Sequence, residues 1–81
     1  MFSKKQFTSE KGIKMLITYD IYHTYGFYQK DIAKIFGYAT TTITYWLKNM
    51  KKYSHLKGFQ KIVSDQKDKT FELAKDYFLN N

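Results

Sequence analysis

The residues best suited to chemistry lie between Gln29 and Lys52, and that chemistry is hydrogen bonding and charge neutralisation rather than bond making. Thr40, Thr41, Thr42 and Thr44 crowd hydroxyls into a short stretch, followed by Tyr45 and Lys48. A threonine hydroxyl donates or accepts, and its methyl suits a thymine methyl. Tyr45 can bond a phosphate or lie against a sugar. Gln29 and Lys30 open an earlier helix, where backbone amides and a cation favour a phosphate. Ala39 keeps the entry to the threonine run small, and Lys34, Lys48, Lys51 and Lys52 widen the positive footprint. Taken alone, a threonine run at a helix start is more often a cap than a reading surface, and surface lysines are ordinarily just solvated.

Catalytic chemistry finds no comparable cluster. His23 and His55 are the only histidines, with no serine or acid at a spacing that singles out a triad. His23 reads as a surface or half-buried residue of the first helix. Asp65, Asp68, Glu72 and Asp76 read as a helix face paired with Lys69 and Lys75. Without cysteine there are no disulfides and no thiolate zinc site. The expectation is no enzyme, no metal and no cofactor.

Fourteen lysines and no arginine face seven acids, a formal charge of +7 on 81 residues. A polyanion is the natural partner for that excess, although lysine also serves simple solubility. No apolar run is long enough to span a membrane, and no apolar segment follows the lysines of the N-terminus, so no signal peptide is expected. A cytoplasmic protein is expected, and the lysine-only usage hints at an AT-rich phage or plasmid source.

The elements that must position these groups are all helical: the sequence predicts an all-α domain of four to five helices. Residues 1–8 read as a loose basic arm. A first helix over 9–25 starts with Ser9 as N-cap and Glu10 in its first turn, carries Ile13, Leu16, Ile17 and Ile21 on one face, and stops at Gly26. Gly12 is expected to weaken its first turn slightly. A second helix runs from Gln29 to Phe36 with Ile32, Ala33, Ile35 and Phe36 inward, and Gly37 closes it. A third starts near Thr40 as N-cap and reaches about Lys52, burying Ile43, Trp46, Leu47 and Met50. Residues 56–79 hold one long helix or two shorter ones, with apolar clusters at Phe59, Ile62 and Val63 and at Phe71, Ala74, Tyr77 and Phe78.

Residues 29–52 meet the requirements of a helix-turn-helix. Close helix crossing needs a small residue, supplied by Ala33; the turn needs positive φ, supplied by Gly37. Ile32, Phe36, Tyr38, Ile43 and Trp46 pin both helices inward, which leaves Thr40, Thr41, Thr44, Tyr45 and Lys48 outward. With the charge, this predicts a non-catalytic protein that binds double-stranded DNA through its third helix in the major groove. Arginine is the usual reader of guanine, so its absence predicts an AT-leaning or weakly specific site.

The stretch "FGYATTTITYWLKNMKKY", after a preceding long helix, resembles the C-terminal DNA-binding domain of the replication initiator DnaA, a Trp-repressor-like helical domain. That family typically carries Gly-Arg-Asp-His-Thr-Thr-Val across the turn, where this chain reads Gly37-Tyr38-Ala39-Thr40-Thr41-Thr42-Ile43. The likeness covers about Ile13 to Val63 and implies that Thr41 and Thr42 meet DNA. The family's Arg, Asp and His are not matched, so its usual recognition site is not implied; generic helix-turn-helix repressors match about as well. The expected role is a phage or plasmid transcriptional regulator. A protein-binding adaptor, or a factor in replication or packaging, is the alternative, and a homodimer would suit a palindromic site.

Overall fold

The computed structural model describes residues 2–80, and among them every regular element is helical. A 3-10 turn at Lys4–Phe7 precedes α1 (Glu10–Tyr25), α2 (Gln29–Phe36), α3 (Thr40–Lys51), α4 (Lys57–Ser64) and α5 (Lys67–Leu79).

α1 is the hub: every other element packs on it. Ser9 caps it as expected, its Oγ accepting the Gly12 amide at 3.0 Å, with Glu10 in the first turn. Gly26 stops it in the left-handed region at φ 70°, and the Gly26 and Phe27 amides fold back to the Tyr22 and Ile21 carbonyls at 3.2 and 3.4 Å. A helix surrounded on several sides needs more than one apolar stripe. Leu16, Ile17 and Thr18 are all buried, and three consecutive residues span about 200° of a helix. Ile13, by contrast, is only half-buried. The Thr18 hydroxyl is buried without a hydrogen-bond partner among the described residues.

The expected loose arm is instead docked. Phe7 is buried, and its ring lies 5.7 Å from Phe59 and 6.5 Å from Tyr53, while Phe2 sits 5.4 Å from Tyr53. Two phenylalanines in a lysine-rich octet outweigh its charge once an aromatic surface is available. Gly12 makes the docking possible: a Cβ there would stand 2.5 Å from the Phe7 Cα. This glycine permits a close backbone approach and does more than weaken a turn.

α2 has the predicted bounds and ends at Gly37, φ 76°, with the Tyr38 amide bonded to the Ala33 carbonyl at 2.9 Å. α3 starts one residue earlier than a Thr40 cap would have it. Ala39 is the N-cap, Thr40 is already helical, and no side chain caps the helix. Ile32, Ala33, Ile43, Trp46 and Met50 are buried between α2, α3 and α1, and Tyr38 packs edge-on to Trp46 at 4.9 Å.

The C-terminal segment is two helices, parted at Asp65 and Gln66, whose amides close the end of α4 on the Lys61 and Val63 carbonyls at 2.9 and 3.0 Å. Asp65 pairs with Lys61 at 3.7 Å, not with Lys69 or Lys75. The expected Phe71–Phe78 cluster is also revised. α5 turns Thr70, Leu73, Ala74 and Tyr77 inward, at i, i+3, i+4, i+7, and leaves Phe71 and Phe78 52% and 63% exposed. α5 packs mainly on α1, so one stripe suffices, and the two phenylalanines lie on the neighbouring one. Tyr77 reaches the first turn of α2. Its hydroxyl is held above the usual tyrosine range, first by burial and then by the charge of Asp31 and their hydrogen bond.

Candidate nucleic-acid interface

α3 is divided cleanly by burial. Ile43, Trp46 and Met50 are at most 2% exposed, whereas Thr40, Thr41, Thr44, Tyr45, Lys48 and Lys51 are exposed, Tyr45 at 63%. Thr42, expected with the other threonines, is half-buried on the flank, so Thr41 is the member of that pair facing solvent. Ala39 is exposed at the entry, and on α2 Lys30 and Lys34 are exposed while Gln29 is half-buried.

The two helices are tied by a bond that sequence alone does not reveal. The Thr44 hydroxyl, which also lies 3.1 Å from the Thr40 carbonyl, donates to Oε1 of Gln29. Residues expected to act separately are thus in contact with each other, across helices already packed through Ile32, Ala33 and Ile43. Tyr28 and Ala39, the N-caps of α2 and α3, supply no side-chain acceptor, and the third amide of each helix, Asp31 and Thr42, instead donates to the N-cap carbonyl at 3.0 Å.

Charge follows the same division. From residue 32 to residue 64 the chain has six lysines and no acid, while α5 balances Lys67, Lys69 and Lys75 against Asp68, Glu72 and Asp76. The +7 excess is therefore carried away from α5. Not every predicted cation joins one surface. Lys48 and Lys51 line a groove with Gln29 and Thr44. Lys52 lines a separate hollow with Gln6, Phe7 and Asn49, its ammonium 5.1 Å from the Tyr53 ring centre. Lys30 lies 5.9 Å from the Tyr28 ring centre, on an exposed pair that stays open to a phosphate.

The opposite wall of the Lys48–Lys51 groove comes from α1 and was not anticipated: Tyr19, Tyr22 and His23, with Ser54 at one end. His23 is exposed, its ring 4.4 Å from Tyr19 and 5.1 Å from Tyr22. The spacing 19, 22, 23 places three aromatic groups on one helix face, a signal present in the sequence. Which element that face meets depends on the packing of α1 against α3.

No three potential metal-ligating side chains gather among the described residues. No helix among them is long and apolar enough to cross a membrane. The chain matches no protein-family model, no curated protein and no solved structure.

Proposed function

We propose that this protein binds double-stranded DNA without catalysis, with α3 in the major groove and lysines neutralising the flanking phosphates. The observation that carries this reading is the face of α3: Thr40, Thr41, Thr44, Tyr45 and Lys48 are exposed on a helix whose other side is buried, within an acid-free stretch. A buried Trp46 fixes the rotation of the helix, and buried Ile32, Ala33 and Ile43 hold its neighbour in place. The threonines and Tyr45 supply the sequence preference, and the lack of arginine directs it toward AT-rich or shape-selected sites. The likeness of the Gly37–Ile43 turn to the DnaA DNA-binding domain supports the same orientation, with Thr41 against DNA. The role assigned is regulation of transcription in the cytoplasm of a bacterium carrying a phage or plasmid; replication and packaging are the other roles open to such a binder.

Selection from random duplex DNA tests this reading. It should enrich an AT-leaning motif whose binding Thr41→Ala and Tyr45→Ala weaken without loss of helicity. Failure to retain any duplex overturns it. A second reading has one specific observation behind it: Phe71, Phe78 and Leu79 are exposed on the charge-balanced α5, a surface suited to a second copy or to a protein partner. Size measurement across concentration separates a homodimer from a monomer.

A further inference from the structure

The groove between α1 and α3 is chemically one-sided. No carboxylate lines it, and apart from Thr44, whose proton goes to Gln29, every polar side chain lining it has a hydrogen-bond donor to offer. The Thr44 hydroxyl engages the Gln29 carbonyl at one end of the groove. Lys48 and Lys51, three residues apart on α3, are exposed, and neither is in an ion pair among the described residues. Across from them the His23 ring is held against Tyr19 and Tyr22. The hydroxyls here donate as well as accept, so the sign of the site is set by its two cations and its lack of a carboxylate, which favour an anion. The groove is open, and it borders Thr44 and Lys48 of the outward face, so a strand lying along α3 passes its mouth.

We propose that this groove seats a phosphodiester of the duplex backbone, neutralised by Lys48 and Lys51 from α3 and bonded by the Tyr22 hydroxyl and the His23 imidazole N–H from α1. The proposal rests on the DNA-binding reading above and extends the footprint onto a helix outside the helix-turn-helix. It makes Tyr22 and His23 sequence-independent anchors that set the register of α3 on the duplex.

The test is an anisotropy titration of a labelled AT-rich duplex, and of its single strand, with the wild type, Lys51→Ala, Tyr22→Phe, His23→Ala and Tyr45→Ala. Thermal melting of each variant reports folding. Lys51→Ala should make the salt slope shallower by about 0.9. Tyr22→Phe and His23→Ala should each weaken duplex binding by about tenfold, the loss of a hydrogen bond to a charged group. If Tyr22→Phe melts early, the decision falls to His23→Ala, whose side chain is exposed. Unchanged affinity in the groove variants, with Tyr45→Ala still impaired, overturns the groove proposal and leaves the DNA reading standing. Tighter binding to the single strand overturns the assignment to a duplex. No binding to either overturns both.

Discussion

Gly12→Ala sets two contributions of opposite sign against each other, and the structure says which wins. Alanine is the better helix former, so propensity alone favours the variant by roughly 0.8–1.0 kcal/mol. The added Cβ, however, would stand 2.5 Å from the Phe7 Cα, 2.8 Å from its carbonyl carbon and 2.9 Å from the Gln6 oxygen. These are backbone atoms and cannot rotate away, so the 3-10 turn has to lift. Lifting it withdraws Phe7, 5% exposed, from Tyr53 and Phe59. Losing that burial costs roughly 1.5–3 kcal/mol. The balance is a net destabilisation of roughly 1–2 kcal/mol, or a fall in melting temperature of about 5–15 °C for a domain this small. Circular dichroism follows the melt, and the single, buried Trp46 reports whether the core stays packed. In a Phe7→Ala background, where docking is already lost, Gly12→Ala should turn neutral or stabilising. A higher melting temperature for Gly12→Ala in the native background refutes the reasoning.

The remaining predictions concern the same frame. Trp46→Ala should destabilise the fold by about 3–5 kcal/mol, seen in denaturant melts, because the ring is 2% exposed and packed on Tyr38. Gly37→Ala should cost about 1–2 kcal/mol through its positive φ, with no clash to relieve, since nothing lies within 4 Å of the added Cβ. Thr18→Val should raise the melting temperature, corresponding to about 1 kcal/mol, by removing a buried hydroxyl that has no partner among the described residues.

What the sequence made legible was whatever rests on local rules. Ser9 and Gly26 bound α1, Gln29 and Gly37 bound α2, and the 43, 46, 47, 50 stripe oriented α3; each is decided within a few residues of chain. The all-α class followed from the same periodicities. What stayed hidden depends on contacts between distant residues. The docking of Phe2 and Phe7 has no period to betray it, and the value of Gly12 appears only once that turn lies against α1. Thr40 has the chemistry of a cap, but the turn after Gly37 ends at Ala39, which leaves Thr40 inside the helix. Phe71 and Phe78 are apolar and regularly spaced, yet their neighbours Thr70 and Ala74 fit the surface of α1 more closely. The outward residues of α3 were deducible by subtraction. The Gln29–Thr44 bond and the α1 wall of the groove were not, because both are set by how helices cross.

The central claim is that a lysine-flanked face of α3 holds duplex DNA, and the dependence of affinity on salt tests it most directly. If about six phosphates are neutralised, log affinity falls against log salt with a slope of roughly −5, a loss of about 10³-fold between about 50 and about 200 mM. That slope, steep in the wild type and shallower in Lys48→Ala, is the predicted result. A slope near zero on duplex DNA contradicts the account.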